Sequence, residues 1–285
     1  MIYKVARQDK TYVLRLHRNG YRTAAELRSE LQWMAALAQR GLQVPAPVAT
    51  PNGAFIAQVD GVLVNVLNML PGAPLGKSGQ LNDIEDPQAF FRDLGRKIAQ
   101  FHELCDAWTP PDTFSRPKWD RHGLLGEAPI WGRFWEHPHL SPSEKSLLVD
   151  VREKANSILK VCKADLDYGL IHADLVGENI LMQNGQMSFI DFDDGGWGFR
   201  DFELATTLLH FVNKPDYPDL RQGLLDGYGA RREVDGDLFD LFVLLRATAF
   251  VGWVISRLHE PGKAERSQLA LDTALPLART FVNAR

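Results

Sequence analysis

The stretch from Gly169 to Ala205 constrains this chain more than any other. Gly169-Leu-Ile171 reads as a short apolar strand that runs into His172-Ala173-Asp174. Asn179 follows five residues after Asp174, and Ile180-Leu-Met182 begins a second strand. Asn184-Gly185 is a two-residue hairpin signal, because both residue types accept the positive φ of a tight turn. A third strand, Met187 to Ile190, ends at Asp191-Phe192-Asp193. The far arm of that hairpin therefore delivers a carboxylate toward the loop that carries Asp174 and Asn179.

This spacing suits phosphoryl transfer, which needs a positioned hydroxyl nucleophile and a divalent cation held against phosphates rather than covalent help from the protein. Asp174 is the candidate base for the acceptor hydroxyl. Asn179 and Asp191 are candidate ligands for Mg²⁺, an ion that takes a few oxygen donors and keeps water and phosphate oxygens for the rest. Each residue alone reads as turn chemistry; the strand-loop-hairpin setting with a second Asp argues against that. The order Asp, Asn, hairpin, Asp follows the kinase pattern, with His172-Ala173-Asp174 in place of His-Arg-Asp and Asp191-Phe192-Asp193 in place of Asp-Phe-Gly.

Around this island the pattern predicts an α+β chain. Ile2 to Val5 and Tyr12 to Leu16 alternate as strands about a turn at Gln8–Lys10. Thr23 and Glu26 make a capping box for a helix that ends before Gly41. Asn52-Gly53 and Asp60-Gly61 signal hairpins, giving the order strand, strand, helix, strand, strand. Composition changes at Asn68 to Gly72, where Pro71-Gly72 reads as a turn or linker. Beyond it the chain is mainly helical: Pro87 to about Leu104, Ser143 to about Cys162, and two long helices between about Asp237 and Val282. Asp240 and Arg246 interrupt the most apolar run, Leu238 to Ile255, so it reads as a buried helix rather than a membrane span.

With these residues in view, the chain resembles the aminoglycoside phosphotransferase and choline kinase superfamily, in the branch of homoserine-kinase-like enzymes and the bacterial stress-response Ser/Thr kinase. That branch shows an "IHGDLHPGN…FIDFDD.G.G" signature; here the residues are Ile171-His-Ala-Asp-Leu-Val-Gly-Glu-Asn179 and Phe189-Ile-Asp-Phe-Asp-Asp-Gly-Gly196. Arg116-Pro-Lys-Trp119 through Trp131-Gly-Arg-Phe-Trp135 is similar to it as well. The resemblance implies a protein-kinase-like two-lobed fold, with residues 1–70 as a small β-rich nucleotide-binding lobe and 71–285 as a larger helical lobe holding the catalytic loop and acceptor site. It implies ATP and Mg²⁺ as cofactors. It places Arg15 where kinases set the strand Lys that contacts ATP phosphates, pairs it with Glu30 or with Glu26 one turn earlier, and puts the Asn68 carbonyl and Leu70 amide at the adenine edge. It gives His172 and Glu203 supporting rather than proton-transferring roles. It also implies a first strand and a Gly-rich loop ahead of Arg15; the sequence starts, at Met1, with what reads as the second strand, so the front wall of the nucleotide site is expected to be incomplete.

Composition narrows the partners. A formal net charge of −4 argues against a general nucleic-acid binder. Two distant cysteines, Cys105 and Cys162, make no disulfide framework and favour a reducing, cytoplasmic setting. The segment after Asp191 holds no Ser or Thr before Ala205, so no phosphorylated activation segment is expected. Trp108, Trp119, Trp131 and Trp135 cluster in one irregular stretch, as packing or as a substrate wall. Three functions follow: a kinase for the hydroxyl of a small molecule such as an amino-alcohol, homoserine, choline or an aminoglycoside; a stress-response-type Ser/Thr protein kinase; and a nucleotide-binding module without turnover.

Overall fold

The alternating N-terminal segments pair as a hairpin: β1 (Ile2–Arg7) and β2 (Lys10–Leu16) run antiparallel with Ile2 opposite Arg15. Gln8 takes the left-handed backbone at their turn, φ 54°. A computed structural model describes residues 1–18, 20–77, 79–82, 84–162, 166–234, 236–260 and 262–284. In it, the Thr23–Glu26 capping box opens α1 (Ala24–Gln39), whose Leu27, Leu31, Trp33 and Met34 are fully buried. Asp60-Gly61 turns β3 (Ala57–Val59) into β4 (Val62–Asn68), and the four strands form an antiparallel sheet in the order β1-β2-β4-β3. Asn52-Gly53 departs from expectation. It makes a local turn, closed by the Gly53 amide on the Thr50 carbonyl, and joins no two strands. Pro45, Pro47 and Pro51 precede it and remove the donors that a strand ladder would need.

The linker reading of Pro71-Gly72 is also too loose. Gly72 has φ +121°, and a Cβ there would lie 2.8 Å from the Met182 carbonyl oxygen. This lets β5 (Ala73–Pro74) reach β10 (Ile180–Gln183), which pairs on its other side with β11 (Gln186–Phe189). Between β5 and β10 come the small hairpin β6 (Gly76–Lys77) and β7 (Gln80–Leu81), α2 (Pro87–Asp106), β8 (Lys118–Trp119), α3 (Arg121–Leu125), α4 (Pro142–Val161) and β9 (Tyr168–Ile171). After β11 follow β12 (Gly196–Phe199), α5 (Arg200–Leu208), α6 (Tyr217–Gly229), α7 (Gly236–Ile255) and α8 (Lys263–Asn283). β12 lies between β8 and β9, which sets the segment after Asp191 directly against the strand that leads into Asp174.

α7 is long and apolar enough to cross a membrane, yet 72% of Leu238–Ile255 is buried within the chain, as a core helix. α2 and α6 cross at glycines. A Cβ on Gly95 would lie 2.1 Å from the Leu224 carbonyl oxygen, and one on Gly227 would lie 1.8 Å from that of Arg92. Tyr228, next to Gly227, then reaches His102 on α2 with a 2.8 Å hydrogen bond. Gly227→Ala is expected to push the helices apart and cost about 3 kcal/mol in urea unfolding, whereas Gly229→Ala, with open space around it, should change stability little.

Candidate active site

The loop after β9 is fixed from two sides. Glu203, fully buried on α5, accepts the backbone amides of His172 and of Ala173, the latter at 3.2 Å. Ala173 holds φ +63°, a left-handed conformation that costs a non-glycine residue about 1 kcal/mol or more. The Glu203 carboxylate stabilises that backbone and aims Asp174 into the cleft. On the other side, His172 Nε2 donates to the Ile190 carbonyl at 2.8 Å, and the Ile190 amide donates to the Asn179 carbonyl at 3.0 Å. Phe192 packs on the His172 ring at 4.5 Å, with Trp33 edge-on behind it. Through these contacts His172 ties the Asp174 loop to the end of the hairpin.

Asn179 ends a single helical turn, Gly177–Asn179, and donates through Nδ2 to the Asp174 carbonyl (2.8 Å) and to Asp174 Oδ2 (3.1 Å). Its Oδ1 is left as an oxygen donor. Asp191, also left-handed at φ +67°, follows β11 and is exposed to the cleft. The turn after it, Phe192–Asp194, is held by its carbonyls. Arg116 donates to Phe192 (2.8 Å), Asp193 (2.6 Å) and Gly195 (2.6 Å), and Trp119 Nε1 donates to Asp194 (2.8 Å). Arg22 reaches both Asp193 and Asp194.

Arg15 on β2 pairs with Glu30 on α1 at 2.7 Å, and Glu26 is spent on the helix cap instead. Arg15 Nε donates to Asn65, and Nη2 has no protein partner. A cavity of about 510 Å³ brings Arg15, Asp174 and Asp191 to one cleft, together with Asp193, Asp194 and Arg246. Asn68 and Leu70 do not line it. They lie where β4 ends, with the Asn68 amide donating to Ala46 and the Met69 amide to Thr11.

Burial pushes the Asp174 carboxyl up to about 7, against the pull of Arg246 and with help from Asp194 and Asp191. Although Asp191 opens onto the cleft, the cleft walls shield its carboxyl from bulk water, and this desolvation and then Asp193 push it up to about 6, against Arg15. Like charges this close disfavour one another's ionised forms, and Asp194 is raised as well, by burial and then by Asp193. Among the described residues no three His, Cys, Asp or Glu side chains form a ready cage. The donors present, Asn179 Oδ1 and the Asp191 carboxylate, fit an ion that keeps water and phosphate oxygens.

One central residue escaped the sequence reading. Arg246 stands in the middle of α7, 3% exposed, over the Trp131 ring at 4.6 Å. Its Nη2 lies 3.4 Å from Asp174 Oδ1, and its Nε donates to Thr206. An arginine inside the most apolar run of the chain was the available signal. Arg116 was noticed only within a motif, and nothing local reveals that it holds three carbonyls of a turn 76 to 79 residues away.

A model of the phosphotransferase enzyme family matches residues 2–237. The fold is similar to a solved microcompartment-associated aminopropanol kinase, at TM-score 0.84 and 28% identity, over 99% of this chain and 89% of that one. It is also similar to the amicoumacin kinase hAmiN solved with AMP-PNP and Ca²⁺, at TM-score 0.76 and 18% identity, over 98% of this chain and 85% of that one. Homoserine kinase of Brucella abortus (strain S19) is 27% identical over 233 residues, 80% of this chain and 66% of that protein. The architecture is the protein-kinase-like α+β fold: a small β-sheet region and a mainly helical portion.

Glu203→Ala removes the acceptor for two buried amides and is expected to cost about 3 kcal/mol in chemical unfolding, with Glu203→Gln recovering part of it. Burial holds His172 down at about 4, from an ordinary 6.5. Below 6.5 the unfolded chain takes up a proton that the folded chain refuses until about 4. Stability should therefore fall across that window by as much as about 3 kcal/mol from this group. His172→Gln keeps a donor for Ile190 and should make the acid limb of a stability–pH curve shallower; an unchanged limb would clear His172 of the effect.

Proposed function

Because the chain belongs to the phosphotransferase enzyme family, we propose that it moves the γ-phosphoryl group of ATP to the hydroxyl of a small molecule in the cytoplasm. The observation that carries this reading is the shared cleft: Asp174, Asp191 and Arg15 come from a loop, a hairpin end and the N-terminal sheet, and all line one cavity of about 510 Å³. Residues 1–70 supply the nucleotide side, through Arg15 held by Glu30 and through the backbone of Asn68 and Leu70 at the adenine edge. Residues 71–285 supply the catalytic loop and the acceptor side.

In this reading Asp174 accepts the proton of the acceptor hydroxyl as that oxygen bonds to phosphorus and the bond to the leaving ADP oxygen breaks. Arg246, beside Asp174, keeps that carboxylate oriented and lowers its proton affinity against the burial that raises it. Asn179 and Asp191 hold Mg²⁺, which supplies positive charge to the phosphates. Arg15 Nη2, without a protein partner, donates to a phosphate oxygen. Glu203, His172 and Arg116 act on the backbone and touch no reactant.

Asp174→Asn should lower ATP-dependent phosphorylation of the acceptor by about a thousandfold while nucleotide affinity stays within a small factor. Asp191→Asn should abolish the Mg²⁺ dependence of nucleotide binding. A panel of amino-alcohols, hydroxy acids, sugars and a bacterial lysate, with Mg²⁺ and labelled ATP, checks both. Label confined to lysate proteins would favour a protein kinase, and nucleotide binding without any transfer would leave a binding module. An Asp174→Asn variant that turns over at the wild-type rate would remove Asp174 as the base.

A further inference from the structure

Past Asp174 the cleft changes character. Its wall there is formed by the C-terminal half of α7, the segment after it and the start of α8, and it is aromatic and cationic. Phe250 and Trp253 stack at 5.9 Å and 29°. Arg257 lies over the Trp253 ring at 4.1 Å, and Arg266 approaches the same ring at 5.9 Å. Arg246, Arg257, Arg266 and His210 all line the cavity on this side, and Glu178 is the acidic side chain that faces His210.

Arg257 is preorganised. Its Nη1 donates to the Trp253 carbonyl at 3.0 Å and to Ser256 Oγ at 3.2 Å, which with the ring fixes the guanidinium plane. Among the described residues its Nε and Nη2 have no protein acceptor, and neither Arg257 nor Arg266 has a carboxylate within 4.0 Å. Two guanidinium groups that share one ring without a counter-charge repel each other, and an anion between them removes that repulsion. A guanidinium with free N–H groups is a fork for carboxylate or phosphate oxygens.

These residues also stand apart from the nucleotide side. Arg15 comes from the N-terminal sheet, whereas Arg257 follows the end of α7. The rise of an α-helix puts that end about 13 Å along the axis from Arg246, the arginine beside Asp174. Asp174 and Arg257 line one cavity, so a single molecule can present a hydroxyl to the first and a charged group to the second.

We propose that the acceptor carries an anionic group, a carboxylate or a phosphate, anchored by Arg257 and Arg266 on Trp253 while its hydroxyl meets Asp174. This rests on the transferase reading and narrows it, since a cationic amino-alcohol would meet like charge at this wall. Glu178 faces His210 on this wall, and Arg22 already partners the Asp193–Asp194 pair.

The test uses the intact chain without nucleotide and four matched probes: 4-hydroxybutanoate, 3-hydroxypropyl phosphate, 4-hydroxybutanamide and 4-amino-1-butanol. Ligand-observed NMR titrations at fixed ionic strength should give saturable binding of one or both anions, at least about tenfold tighter than the amide or the amine. Arg257→Gln together with Arg266→Gln should weaken that binding by about tenfold or more, with an unchanged melting temperature as the check on folding. The tighter of the two anions identifies the anchored group. Equal or tighter binding of the amine, no saturable binding of either anion, or full anion affinity in the double variant overturns the proposal. So does an acidic Ser-containing peptide that binds while the small anions do not. The same probes with ATP and Mg²⁺ separate the two layers: anion binding without transfer keeps this site and sinks the transferase reading, whereas transfer that prefers the amine keeps the transferase and sinks this site.

Discussion

Both backbone groups of Ile190 are taken by the loop that carries Asp174: its carbonyl accepts from His172, and its amide donates to Asn179. This cross-tie is what makes a single site from two separate pieces of chain. Without it, Asp174 would sit on one flexible loop and Asp191 on the end of a hairpin. With it, a shift of either loop breaks two buried hydrogen bonds, and each buried group left unpaired costs about 1–3 kcal/mol. Glu203 then fixes the loop from behind by accepting the amides of His172 and Ala173. The two left-handed residues, Ala173 and Asp191, lie on either side of this tie, where the surrounding bonds hold a backbone that a free loop would relax.

A second layer joins the sheet to the frame. Glu30 is fully buried and lies 2.7 Å from Arg15 on β2 and 3.8 Å from Arg116, whose other nitrogens hold the carbonyls after Asp191. A buried carboxylate between two arginines contributes little net stability on its own. Its consequence is geometric: α1, β2 and the Asp191 turn share one charge cluster, so the position of the N-terminal sheet is coupled to the turn that carries the metal-ligand candidate.

Much of this was legible in the sequence because it is local. The Thr23–Glu26 box and the Asn184-Gly185 turn are written within short windows, and they predicted α1 and the β10–β11 hairpin. Asn52-Gly53 misled because a turn signal says nothing about whether its flanks can pair, and prolines on one flank forbid it. The choice between Glu26 and Glu30 was open for a related reason: both lie on one face of α1, and only the depth of Arg15 decides. Arg246 and Arg116 were illegible in another way. Their meaning lies in contacts 72 and more positions away, and an arginine in an apolar run looks locally like an interruption. The proposed adenine edge at Asn68 and Leu70 would use backbone atoms, which no side-chain pattern can encode.

The division of labour across the cleft has a further implication. Residues that hold the frame, such as Glu203, His172, Arg116 and Glu30, are buried and bonded to backbone or to each other, so substitution there changes stability and chemistry together. Arg257 and Arg266 are different. They lie on the rim, one half-buried and one exposed, and no hydrogen bond of the cross-tied frame passes through them. Replacing them alters the charge that an acceptor meets and leaves the Asp174–Asn179–Asp191 geometry in place. Only Arg246 belongs to both sets, bonded to Thr206 behind and facing Asp174 in front. A fold arranged in this way can keep one phosphoryl-transfer frame while the rim of α7 and α8 is rewritten for acceptors of different charge.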